Sequence, residues 1–117
     1  MNEKELCEYI LRTYGVSDEY PFKNDFQTAV YRHADSRKWF AIVISVKKDR
    51  LYAGADGYIT VVNVKCEREL IPSLWQESGI FPAYHMNKGH WLSVCLDGSV
   101  DADTVKWLIG ISHRLTK

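Results

Sequence analysis

This chain has no charge of one sign to spare. Fifteen lysines and arginines balance fifteen aspartates and glutamates in 117 residues, and the pI is near 6.9. That balance excludes a histone-like or ribosomal-type polycation. Cysteine is scarce as well: Cys7, Cys66 and Cys95 are far apart and no CxxC occurs. Neither a zinc knuckle nor a redox dithiol is suggested, and the expectation is three buried, reduced thiols in a cytoplasmic protein. No uninterrupted apolar run approaches the roughly 18 residues of a membrane span. Met1 to Leu6 is acidic and amphipathic, unlike the apolar stretch of a secretory leader. There is no internal repeat, linker or biased segment. What is present is 46% hydrophobic and 13% aromatic residues, which excludes disorder and gives a single domain over residues 1–117 enough apolar surface for one core.

Periodicity orders the elements. Leu6, Tyr9, Ile10 and Leu11 fall on one face of a helix over Glu3 to Tyr14, and Gly15 supplies its stop. Thr28 to His33 alternates weakly as a strand. Trp39 to Val46 is a nearly continuous apolar, β-branched run, the pattern of a strand covered by protein. Tyr58 to Lys65 alternates cleanly, with Val62 and Val64 on one face and Asn63 and Lys65 on the other. The charged stretch and Asp-Gly between these two strands predict a hairpin. Leu70, Ile71, Leu74 and Trp75 have helical spacing, but Pro72 requires that helix to be short or to start late. Phe81 to His90 has no period and is expected to be an ordered loop. Trp91 to Leu96 is the last strand. Val105, Leu108, Ile109 and Ser112 form the stripe of a last helix, capped by Ser99 or Asp101. The order α-β-β-β-α-β-α predicts an α+β fold, a two-layer antiparallel sheet packed against helices. Ile42, Ile44, Val62, Val64, Val94 and Leu108 should be buried at one sheet–helix interface. Trp39, Trp75 and Trp107 should be core, and His33 and His113 surface or boundary residues.

Neutrality overall hides a local asymmetry. Residues 1–25 carry a balance of −3, whereas residues 26–50 carry +4 from Arg32, Arg37, Lys38, Lys47, Lys48 and Arg50 against Asp35 and Asp49. These cations either guard strand edges and turns, a common use of lysine, or form a basic wing that touches phosphates.

The densest cluster of polar and aromatic side chains is Tyr84, His85, Asn87, Lys88, His90 and Trp91. His85 and His90 are not at the spacing that puts two metal ligands on one helix face, and the nearest carboxylate downstream is Asp97. A histidine is chemically competent in acid–base catalysis near neutrality, but no nucleophile, paired carboxylate or glycine-rich phosphate loop accompanies these two. The sequence therefore offers no catalytic residues, metal ligands or cofactor site. The loop serves either its own hydrogen bonding or recognition of a protein or small-molecule partner.

The string Pro82-x-Tyr84-His85-Met86-Asn87-Lys88-x-His90-Trp91 resembles the motif of the MmcQ/YjbR-like family of small bacterial proteins. Tyr20-Pro21-Phe22, Val62-Asn63-Val64-Lys65-Cys66 and Leu96-Asp97-Gly98-Ser99 match in order, so the likeness runs from about residue 3 to residue 115. The family commonly has Asp-Pro after the cysteine, where this chain has Glu67-Arg68. The resemblance implies an α+β fold related to the frataxin-like (CyaY-like) arrangement. It also implies a DNA-binding function with a double-wing motif. Mapped here, the wings are Lys47 to Asp56 and the neighbouring Arg37-Lys38 turn. The candidate DNA contacts are Arg37, Lys38, Lys47, Lys48, Arg50 and Lys88, in a protein expected to be monomeric, non-enzymatic and independent of membranes.

Overall fold

The computed structural model describes residues 1–25 and 27–117. Helix α1 spans Glu3–Tyr14. Its N-terminus is closed by a capping box in which the Asn2 side chain accepts from the Glu5 amide and the Glu5 carboxylate accepts from the Asn2 amide. Gly15, in the left-handed conformation, ends it and donates to the Leu11 carbonyl. Strands β1 (Ala29–Arg32), β2 (Trp39–Lys47) and β3 (Tyr58–Lys65) follow, then one helical turn, α2 (Ile71–Leu74), with Pro72 in its first turn. A three-residue strand β4 (Ile80–Pro82), strand β5 (Trp91–Cys95) and helix α3 (Ala102–Leu115) complete the chain.

The five strands form one antiparallel sheet in the order β1-β2-β3-β5-β4. The α+β class expected from the sequence is the one observed, and the element order gains β4. Its three residues pair Ile80 with Val94 and Pro82 with Leu92 at the sheet edge, where a proline is tolerated. So short a strand leaves no alternation to detect, which is why Phe81 and Pro82 looked like the start of a loop.

Two apolar layers sit on opposite faces of the sheet. On one face Ala29, Tyr31, Ala41, Val43, Val62, Val64, Leu92 and Val94 pack against Leu6 and Ile10 of α1 and Val105, Leu108 and Ile109 of α3. On the other face, which carries no helix, Val46, Ile59, Val61 and Cys95 make a smaller cluster bordered by Ile44, Leu51, Phe81 and Tyr84. The expectation of a single interface is corrected here. Val62, Val64, Val94 and Leu108 meet the helices, but Ile42 and Ile44 face the other way, and Ile44 is only half-buried. A strand apolar on both faces shows no period, so its phase was invisible.

A β-bulge on β2 adds to that ambiguity. Tyr31 pairs with Ala41 and Arg32 with Trp39, leaving Phe40 as the extra residue. Phe40 joins the helix-side core while Trp39 lies on the helix-free side. Where β2 and β3 separate, Ser112 of α3 bridges them. Its hydroxyl donates to the Phe40 carbonyl (2.6 Å) and accepts from the Lys65 amide (2.8 Å).

His33 is buried, contrary to the boundary position expected. Its ring packs on Phe40 and His113 and its Nε2 lies 2.8 Å from the Thr116 hydroxyl. Burial, followed by the neighbouring His33, pushes the His113 imidazole below its ordinary pKa. Trp75 and Trp107 are corrected in the opposite direction: they are 37% and 51% exposed. Trp107 follows Lys106 and precedes Leu108, so it sits beside the apolar stripe of α3 rather than in it. Asp101 occupies the N-cap position of α3 but its side chain makes no capping bond, and Ser99 is engaged with Asp97 instead.

Candidate functional site

Most of the side chains singled out in the sequence lie at two places on the helix-free face and its rim; Arg37 and Lys38 do not. The first is the segment from Ala83 to His90, which crosses this face and is clamped to it by a buried polar network. Asn63 of β3 donates to the Tyr84 carbonyl (2.8 Å) and accepts from the Ser93 hydroxyl (2.5 Å), and Ser93 accepts from the Tyr84 amide (3.0 Å). Asn63 and Ser93 are 1% and 0% exposed, so their groups depend on one another for satisfaction. Asn63 looked like the polar, outward residue of an alternating strand. It does point away from the helices, but into a covered face.

From this clamp the chain leaves in an unusual direction. His85 has φ 63°, a left-handed backbone that a residue with a β-carbon rarely adopts, and its ring lies 4.0 Å from that of Tyr84. Met86 is half-buried and lines the same depression as His85. Asn87 then makes a turn: its carbonyl accepts from the His90 and Trp91 amides and its side chain from the Gly89 amide. The His90 carbonyl accepts from the Cys66 amide just beyond β3 (2.8 Å). The motif string thus divides in two. Asn87, His90 and Trp91 build the turn into β5, Lys88 is exposed on it, and Tyr84, His85 and Met86 face the sheet. Among the described residues no three histidine, cysteine, aspartate or glutamate side chains gather as a metal-binding group.

The second place is the β2–β3 connection. Lys47 ends β2, Lys48–Arg50 form a 3₁₀ turn, and the Lys48 amide donates to the Gly57 carbonyl (2.9 Å), with Gly57 at φ 89° closing the hairpin. Lys47 and Arg50 are exposed. Lys48 is half-buried and contributes, after the Ser99 hydrogen bond, to holding the Asp97 carboxyl below its usual range. None of the three forms an ion pair among the described residues, whose ion pairs are Arg32 and Arg37 with Glu19, and Arg114 with Glu67.

Arg37 and Lys38 stand elsewhere. They lie in the β1–β2 turn, at the opposite end of β2, about 26 Å from Lys47 for a strand of this length. Arg37 is also spoken for, with its guanidinium 2.7 Å from Glu19 and its own φ at 64°. The six basic candidates are therefore not one patch: Lys47, Lys48 and Arg50 form one group, and Arg37, Lys38 and Lys88 do not join it.

Between loop and hairpin the helix-free face is hollow. One depression of about 280 Å³ is lined by Phe22, Trp39, Ile42, Ile44, Met86 and His85, with Asn63 at its floor. A second, of about 310 Å³, shares Asp25, Thr28, Ile44 and His85 with the first and runs on to Lys47, Arg50, Tyr58 and Tyr84. Asp25 is the carboxylate of this groove. It accepts from the amides of Gln27 and Thr28 and from the Thr28 hydroxyl, which together hold it below the usual carboxylate range. Phe22 belongs to the Tyr20-Pro21-Phe22 string noted in the sequence; Asp25 carried no signal there, because a lone aspartate in a turn is commonplace.

With this geometry in view, relatives are informative. The YjbR family profile matches residues 11–115. The chain belongs to the YjbR family. It is 30% identical over 117 residues to the uncharacterised protein YyaQ of Bacillus subtilis, covering 100% of this chain and 99% of that one. It is 37% identical over 115 residues to the uncharacterised protein YjbR of Escherichia coli, covering 97% of this chain and 86% of the relative. A crystal structure of a Pseudomonas syringae protein superposes with a TM-score of 0.96 at 34% identity over all of both chains. A Deinococcus radiodurans protein with a DUF419 domain shares the fold, with a TM-score of 0.72 at 24% identity over 97% of this chain and 77% of that one. No helix among the described residues is long and apolar enough to cross a membrane.

Proposed function

We propose that this YjbR-family protein binds duplex DNA weakly and electrostatically through its β2–β3 hairpin. The observation that carries the reading is the grouping of Lys47, Lys48 and Arg50 at one end of the sheet with no carboxylate paired to any of them among the described residues. Unpaired cations on a protruding turn are the means by which proteins contact phosphates without reading sequence. The net charge of zero argues for low affinity, because no long-range field supplements these three contacts. Arg37 and Lys38 add little to the same contact, being a strand-length away and, for Arg37, held by Glu19, which also pairs with Arg32. Binding at physiological salt therefore falls in the non-specific range of about 10⁻⁴ to 10⁻⁶ M.

The test is a mobility shift of random-sequence duplex at low salt. Wild-type protein retards the duplex at high micromolar concentration, and a variant with Lys47, Lys48 and Arg50 replaced by alanine does not. Equal retardation by both would remove the hairpin from the account; no retardation by wild type would remove DNA binding itself.

A further inference from the structure

We propose that the groove running from Trp39 to Arg50 is a binding site for a small amphipathic anion, an alkyl or aryl chain carrying one carboxylate. The inner depression offers an apolar lining of Phe22, Trp39, Ile42, Ile44 and Met86, and its roughly 280 Å³ lies near the small end of ligand cavities. The adjoining depression ends on Lys47 and Arg50, exposed cations with no carboxylate paired to them among the described residues. Ile44 belongs to both; Lys47, three residues beyond it and about 10 Å along β2, leaves the strand on the opposite pleat but borders the outer depression where the strand ends, as does Arg50. An apolar tail seated on Ile42, Ile44 and Met86 thus carries its head group to the cations.

The charges along the groove fix the orientation of that chain. Asp25 borders both depressions, and its hydrogen bonds to Thr28 and Gln27 keep it ionised. In the outer depression Lys47 and Arg50 outnumber Asp25, whereas among the described residues of the inner one Asp25 has no lysine or arginine beside it, so a carboxylate is drawn to the Lys47–Arg50 end. His85 stands where the two depressions join, held in its left-handed backbone by the clamp on Tyr84. Strain of this kind is retained where the surrounding structure enforces it, commonly at binding sites. The proposal does not rest on DNA binding, although Lys47 and Arg50 take part in both.

The experiment is an amide NMR titration of the full chain with octanoate and, separately, with its neutral analogue octanamide. Octanoate should shift the amides of Ile42, Ile44, Lys47, Arg50, His85 and Met86 saturably, binding about tenfold more tightly than octanamide because only it forms a charge-assisted hydrogen bond. Arg50→Glu should erase that preference and leave octanamide binding intact. Met86→Asp should abolish binding of both; should it perturb the fold, Trp39→Leu weakens both instead. Equal affinity for octanoate and octanamide, or shifts centred on Trp107 of α3, or no shifts up to about 10 mM ligand would overturn the proposal. Duplex retardation measured separately keeps the two readings distinguishable, since either can fail while the other stands.

Discussion

Replacing Asn63 by leucine tests whether the polar network, and not apolar contact alone, holds the 83–90 segment on the sheet. The substitution keeps the number and branching of side-chain heavy atoms and removes both hydrogen bonds that Asn63 makes, to the Tyr84 carbonyl at 2.8 Å and from the Ser93 hydroxyl at 2.5 Å. Two groups lose their partners. Ser93 is fully buried and its hydroxyl proton loses its acceptor, although its oxygen still accepts from the Tyr84 amide, and the Tyr84 carbonyl is partly buried. At roughly 1–3 kcal/mol for each orphaned group, the expected loss is about 2–4 kcal/mol. Urea unfolding followed by tryptophan fluorescence should show the midpoint falling by roughly 1–2 M at unchanged m. Adding Ser93→Ala removes the orphaned hydroxyl, so the double variant should be less destabilised than the sum of the single ones. A loss within about 0.5 kcal/mol of wild type, the range of an ordinary surface substitution, would refute the argument.

Leu108→Ala should cost about 2–5 kcal/mol by denaturant unfolding, and Trp107→Ala, one residue earlier and half exposed, far less. Alkylation under native conditions should label the half-buried Cys7 first, because Cys66 and Cys95 are buried and burial raises both thiols, Cys95 to about 11. Intact-mass measurement after alkylation of the unfolded chain, with and without reductant, should give one mass; a mass lower by two alkyl groups without reductant would reveal a disulfide. His113 takes up its proton less readily folded than unfolded, so the unfolded chain binds more protons as pH falls below about 6.5 and stability declines there. Thermal unfolding of His113→Gln across pH 5–8 should lack that part of the decline, and an unchanged profile would assign it to other groups.

Much of this fold was legible because single-faced elements advertise their period. Glu3 to Tyr14 showed its helical face, and Tyr58 to Lys65 alternated so clearly that Val62 and Val64 were placed correctly. β2 was legible as a strand but not in phase, since it is apolar on both sides and carries a bulge at Phe40. The tryptophans misled because an aromatic beside a stripe resembles one within it. The basic cluster was visible as composition only: Arg37 and Lys47 are ten residues apart in sequence yet at opposite ends of one strand. The clamp of Asn63, Ser93 and Tyr84 was out of reach, since it joins residues 21 and 30 positions apart through the register of β3 and β5.

Whether three hairpin cations contact DNA phosphates is read from the salt dependence of duplex binding. Fluorescence anisotropy of a labelled random duplex, titrated with protein between about 20 and 200 mM salt, gives the slope of log affinity on log salt. Three phosphate contacts correspond to a slope of about −2.7. Replacing Lys47 and Arg50 by alanine should flatten it by about 1.8, equally for every duplex sequence, because phosphate contacts carry no sequence information. A slope unchanged by that double replacement, or affinity insensitive to salt, would contradict the claim.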